Sequence, residues 1–312
     1  MEKKVVVTGA GGFLGSHICC YLQQQGYQVV GVGRFSIPVS KYSIYSNMQK
    51  IVGMTLPDQS FTRIIEDFQP TLLIHCAGTA SVPSSVKEPF EDFRRSVDIC
   101  AYALENLRRY DADCHFVFLS SAAVYGNPIS LPITEDTLCK PISPYGFHKR
   151  LCELLVKEYQ ALHGISTSII RIFSAYGERL RKQVIFDLCD KFSKQENNPI
   201  EVYGTGQETR DFIHALDVAQ AIECLYKNHA TGIFNVASGE QVKICDLVET
   251  IRSFFGGNHI INYSNQVREG DPICWKADIS KLISLGFKQK ISFDQGIRGY
   301  CEWYLGNRDH DD

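Results

Sequence analysis

The stretch Val5-Val6-Val7-Thr8-Gly9-Ala10-Gly11-Gly12-Phe13-Leu14-Gly15 decides the fold. Three β-branched residues in a row suit a strand buried on both faces, and the apolar spacing after the glycines is that of a helix. Gly9, Gly12 and Gly15 fall three apart at the junction. Glycines so placed permit a tight turn, let the backbone come close to a pyrophosphate and let the helix lie against the strand, while the helix N-terminus attracts negative charge. The spacing therefore predicts a dinucleotide site cradled by Gly9, Gly11, Gly12, Phe13, Leu14 and Gly15.

Outward from this turn the alternation continues. Strands are predicted near 4–8, 28–32, 71–76, 115–120 and 166–172, and helices near 12–25, 58–68, 89–110 and 145–163. Strands separated by amphipathic helices are βαβ units, so the expected fold class is α/β with a doubly wound parallel sheet. After Gly177 the elements shorten and turns recur, as at Gly204-Thr205-Gly206, which predicts a smaller second lobe. The second strand ends in Gly31-Val32-Gly33-Arg34. A site for NAD usually carries an acidic residue there to hold the ribose 2′-hydroxyl. With a guanidinium in that place and no carboxylate to repel a 2′-phosphate, the leading expected cofactor is NADP, with NAD the alternative. Arg34 could instead stack on an adenine or face solvent.

Catalytic candidates lie further along. Pro144-Tyr145-Gly146-Phe147-His148-Lys149 opens a helix, and Tyr145 and Lys149, four apart, share one face. A phenol with a reference pKa of ~10 is a poor base at neutral pH, and a nearby ammonium favours its phenolate. The strand near 115–120 runs into Ser120-Ser121-Ala122-Ala123, at the sheet edge where ligands bind in open α/β folds. Ser121 could hydrogen-bond the oxygen that Tyr145 deprotonates, and Ser120 could cap the loop. No GxSxG elbow supports a hydrolase, and His17, His75 and His214 lack metal-ligand spacing, so no metal is expected.

Composition narrows the function classes. The chain has 312 residues, 44% hydrophobic and 21% charged, which fits a folded globular chain and excludes a disordered or collagen-like one. A net charge of −3 lends nucleic-acid binding no electrostatic support, so small-molecule partners are expected. Twelve cysteines without a CxxC pair read as reduced core thiols. With no secretory signal and no run of ~20 apolar residues, the expected location is cytoplasmic, away from the membrane.

The glycine turn, Ser121, Tyr145 and Lys149, in this order, resemble the extended short-chain dehydrogenase/reductase family, in its nucleotide-sugar epimerase and dehydratase branch, similar to UDP-glucose 4-epimerases. Three later segments extend the resemblance: Arg171-Ile172-Phe173-Ser174-Ala175-Tyr176-Gly177; Gly206-Gln207-Glu208-Thr209-Arg210-Asp211-Phe212-Ile213-His214 with Asp217; and Arg268-Glu269-Gly270-Asp271-Pro272. It implies a Rossmann-type cofactor domain over 1–173, completed by about 211–236, and a nucleotide-sugar lobe from 174–210 and 237–312. It implies Ala77 and Gly78 at the cofactor, Ser174, Arg179, Arg210 and Arg268 at the nucleotide diphosphate sugar, and Trp275 as a gate beside the sugar's C2 substituent or, equally, a core residue. Arg210 and Arg268 suit a pyrophosphate by charged hydrogen bonds. The family's Asn stands as Ser174 and its Asn-Val segment as Ser96-Val97-Asp98. Ala122-Ala123 replaces the acidic pair of the 4,6-dehydratases, which argues against dehydration. The implied function is 4-epimerisation of a nucleotide hexose through a transient 4-keto sugar. The alternatives are an NADPH-dependent reductase of a 4-keto-6-deoxy nucleotide sugar and, last, a non-enzymatic NADP-responsive sensor or scaffold. A homodimer through the 89–110 and 145–163 helices is implied as well.

Overall fold

The computed structural model describes residues 3–35, 50–111, 113–194, 199–256, 259–266 and 273–307. Its centre is a seven-stranded sheet of β1 (Lys4–Thr8), β2 (Gln28–Gly33), β3 (Lys50–Gly53), β4 (Leu72–His75), β5 (His115–Ser121), β6 (Thr167–Ile172) and a late strand, Gly232–Val236. Every neighbouring pair is parallel, and from one edge the order is the late strand, then β6, β5, β4, β1, β2 and β3. The opening valines show why a strand can be apolar throughout. Val5 and Val7 enter the core on one face and Val6 the core on the other, all three fully buried. Burying one such side chain contributes about 1.5–3 kcal/mol.

Helices cover both faces. On the first lies α1 (Phe13–Gln24), and on the other lie α2 (Gln59–Phe68), the short α3 (Val82–Lys87) and α4 (Pro89–Phe93), α5 (Ile99–Tyr110) and α6 (Pro144–His163). The helix predicted over 89–110 is thus two helices joined by a π-type turn at Arg94–Asp98, and such turns often mark functional sites. The sequence reading missed β3, whose four residues are exposed at both ends and too few to show a period.

After β6 come β7 (Ser174–Tyr176), α7 (Gln183–Lys194), β8 (Ile200–Val202), β9 (Thr209–Arg210), β10 (Phe212–His214) and α8 (Ala215–Lys227), which packs beside α1. The sheet's late strand is β11, followed by β12 (Val242–Lys243), α9 (Ile244–Phe255), β13 (Ile261–Tyr263), α10 (Ser280–Ser284) and α11 (Phe293–Asn307). β7 pairs with β10, β9 with β12 and β8 with β13, and α7, α9 and α11 share a separate core around Leu188, Leu247, Ile251 and Tyr300. All twelve cysteines are free thiols, six of them buried. Among the described residues no helix is long and apolar enough to cross a membrane.

Candidate active site

The strand order reverses between β1 and β4, and ligands in open α/β sheets bind in the crevice at that switch. Here a cleft of about 1660 Å³ opens between the carboxyl ends of the sheet strands and the later elements. Gly9, Gly11, Gly12, Phe13, Leu14, Gly15, Arg34, Ala77 and Gly78 line one part of it. Gly9 adopts φ +69°, and a Cβ there would lie 2.7 Å from Ala77 N, so only glycine lets the first turn press against the end of β4. A Cβ on Gly15 would lie 2.2 Å from Gly9 O, which explains the third glycine. Gly12 caps α1 in extended conformation without a side chain, leaving the helix N-terminus open to an anion. These residues fit a dinucleotide. The β4 end is fixed from below: His75 Nδ1 and Thr8 Oγ1 lie 3.0 Å apart, and Thr8 Oγ1 accepts from Ala77 N at 3.2 Å. Burial, with Lys149 nearby, pulls His75 down to about 3, so its imidazole is neutral.

Tyr145 and Lys149 reach the middle of the cleft from α6. Ser143 caps this helix by accepting from Gly146 N, and Ser85 of α3 accepts from Tyr145 N at 3.1 Å. A Cβ on Gly146 would lie 2.6 Å from Ala123 O, so this glycine lets α6 start directly against the turn that follows β5. Lys149 is buried. Its Nζ donates to Leu119 O at 2.8 Å and lies 5.8 Å from the Tyr145 ring centroid.

The two serines divide their work differently from the sequence reading. Ser120 is buried, and its hydroxyl donates to Glu153 Oε1 at 2.7 Å, inside a network where Arg171 grips both Glu153 oxygens at 2.9 and 2.8 Å. The loop cap is Ser121, whose Oγ accepts from Ala123 N at 3.2 Å and keeps its own proton for the cleft it lines. Both serines alternate across the strand as the pleat requires, but which one faces the ligand depends on β6 and α6, which a local reading does not see.

Ser174, Arg210 and Trp275 line the other part of the cleft. Arg210 is held beside Asp211, a buried carboxylate that accepts from Ser238 N, Ser238 Oγ, Gly239 N and Ala277 N and so ties three loops together. Burial pushes Asp211 up to about 6. Trp275 is 8% exposed, donates from Nε1 to Gly126 O at 3.3 Å, and meets Phe173 edge-on at 5.6 Å, so it belongs at once to a core and to the cleft wall. Arg179 takes a left-handed backbone at φ 71° and is not among the residues that line this cleft. Arg268 and its Arg-Glu-Gly-Asp-Pro segment lie outside the described residues. Among the cleft residues that escaped the sequence reading are Thr79 and Lys182, whose Nζ donates to Ala80 O at 2.7 Å. Both sit in irregular segments where no periodicity marks them.

Comparison with known proteins agrees with this geometry. The family model described as the NAD dependent epimerase/dehydratase family matches residues 5–237. A putative UDP-glucose 4-epimerase of Methanocaldococcus jannaschii is 32% identical, over 97% of this chain and 99% of its own length. Among solved structures, a UDP-N-acetylglucosamine 4-epimerase of Methanobrevibacter ruminantium, in complex with UDP-N-acetylmuramic acid, superposes with a TM-score of 0.89 at 28% identity, covering 98% of this chain and 99% of the other. A Thermus thermophilus UDP-glucose 4-epimerase in complex with NAD gives 0.86 at 26% identity, over 97% and 99%. With a dinucleotide cradle, a tyrosine and a lysine in one cleft and a family match over most of its length, the chain belongs to the NAD-dependent epimerase/dehydratase family.

Proposed function

We propose that this protein is a nucleotide-sugar 4-epimerase that works through a transient 4-keto sugar. The observation that carries the reading is the convergence of Ser121, Tyr145 and Lys149 on one cleft whose two ends are lined by the glycine turn and by Ser174 and Arg210. Bound NAD(P), held by Gly9, Gly11, Gly12, Phe13, Leu14, Gly15, Ala77 and Gly78, would supply a hydride acceptor that later gives the hydride back. Tyr145 takes the proton of the sugar's C4 hydroxyl and later returns it. The Lys149 ammonium stands 5.8 Å from its ring centroid, and the Ser121 hydroxyl donates to the C4 oxygen. Arg210 supplies positive charge for the diphosphate. The cleft exceeds the roughly 300–1,000 Å³ of an ordinary small-molecule pocket, as two nucleotide ligands require.

Arg34 supports a second reading. It is exposed at the cleft rim at the end of β2, which favours NADP and, with it, a reductase of a 4-keto-6-deoxy nucleotide sugar. Incubation with UDP-glucose and catalytic NAD or NADP separates the two: accumulation of the C4 epimer without net oxidation or reduction supports the epimerase. Consumption of one NADPH per product from a 4-keto sugar supports the reductase. We further propose division into a cofactor domain and a sugar lobe, and a homodimer. Phe147, Leu151 and Leu154 form an outward stripe on α6, 56%, 40% and 49% exposed, at the spacing of a helix-helix seam. Sedimentation equilibrium as a dimer supports that assembly.

A further inference from the structure

A threonine in the cleft wall is tied to the catalytic helix by a continuous run of polar side chains. Thr79 Oγ1 lies 2.5 Å from Asp92 Oδ1 and 3.0 Å from Ser96 Oγ. Asp92 is only 3% exposed, and its other oxygen lies 2.5 Å from Nδ1 of His148, which stands between Tyr145 and Lys149 on α6. The direction of every bond follows from what each group can donate. A carboxylate only accepts, so Thr79 gives Asp92 its one hydroxyl proton and His148 donates from Nδ1. Ser96 then donates to Thr79 Oγ1, while Ser96 Oγ accepts from Thr79 N at 3.4 Å. The chain thus joins the loop after β4, α4, the π-type turn that carries Ser96, and α6.

A buried carboxylate is costly unless its acceptor capacity is filled, and here both oxygens are bound by residues whose neighbours face the cleft. We propose that Asp92 and His148 are positioning residues that hold the Cys76–Ala80 wall of the cofactor pocket in fixed relation to Tyr145 and Lys149. The proposal rests on the reading of those two as the epimerisation machinery. A loose wall would leave the reacting groups misaligned, and small misplacements of reacting atoms reduce rate far more than binding.

The test compares wild type with Thr79→Val, His148→Ala, the double variant and His148→Asn, the last keeping an N–H donor near the Nδ1 position. UDP-glucose turnover, NADH affinity and melting temperature are measured for each. Both single variants are expected to lose about 10-fold or more in kcat, with KM for the sugar within about threefold of wild type. The double variant should lose no more than the worse single one, because both break the same chain. His148→Asn should recover most of the lost kcat, and NADH affinity should weaken alike in both single variants. Losses that multiply in the double variant, appear only in KM, follow melting temperature or persist in His148→Asn overturn the proposal. If wild type epimerises no hexose nucleotide, the functional reading fails instead. NADH affinity, measured without sugar, then decides: equal weakening supports the chain and unequal or absent weakening overturns it.

Discussion

The glycine turn with its sheet and the wall around Ser174, Arg210 and Trp275 face each other across one cleft, yet they are built by different rules. The first is periodic: Val5, Val6 and Val7 alternate between two cores, and Gly9, Gly11 and Gly15 are each required by a close backbone approach. The second is assembled from two- and three-residue strands and from buried hubs such as Asp211, which joins segments 27 and 66 positions apart. A cofactor common to many reactions needs one cradle, whereas a sugar is selected by loops that can vary without disturbing the sheet.

The largest effect is expected on the cofactor side. Tyr145→Phe removes the proton acceptor and leaves the fold, so kcat should fall by roughly 100-fold or more with NADH affinity nearly unchanged. Steady-state kinetics beside a cofactor titration reads this, and activity within a few-fold of wild type would end the assignment. Next comes Arg34→Ala, which should weaken NADP binding about 10-fold while hardly touching NAD, the value of one charged hydrogen bond to a phosphate. Equal losses for both cofactors would mean that Arg34 stacks or supports its loop.

On the sugar side, Trp275→Ser should raise the ratio of kcat/KM for UDP-N-acetylglucosamine over that for UDP-glucose by about 10-fold, since overpacking costs ~1–3 kcal/mol. An unmoved ratio would assign Trp275 to the core alone, where Phe173 and Gly126 already hold it.

The smallest effect is expected where the two regions touch. Glu178 Oε2 lies 3.4 Å from His17 Nε2 of α1 and 3.5 Å from His214 Nε2, and hydrogen bonds from both histidines hold its carboxyl below the usual range. A depressed folded-state value stabilises the protein above the unfolded value of ~4.3 and ceases to do so as pH falls below it. Glu178→Gln should therefore melt slightly lower than wild type at pH 7, and the gap should narrow below about pH 4. Partial exposure of Glu178 keeps the effect small. A gap constant with pH would detach Glu178 from its two histidines.

The same contrast governs what the sequence revealed. Strand alternation, the glycine turn and the Tyr145–Lys149 spacing are local patterns, and the structure brings all of these residues to one cleft. Ser120 and Ser121 could not be assigned separate roles from neighbours in sequence, because Glu153 and Arg171 decide the matter from other elements. Arg179 was named only by resemblance, and neither its left-handed backbone nor its place outside this cleft's lining could be read from its neighbours in sequence. Thr79 and Asp92 gained meaning only once a π-type turn and α6 met them.

Whether Tyr145 and Lys149 serve reversible oxidation at C4 with no net change in cofactor can be decided by following UDP-glucose by NMR while absorbance at the nicotinamide band is recorded. Many turnovers to the C4 epimer per enzyme are expected with no net change in reduced cofactor, and loss of that conversion in Tyr145→Phe. Product that never exceeds the NADPH consumed, or conversion unaffected by Tyr145→Phe, would contradict it.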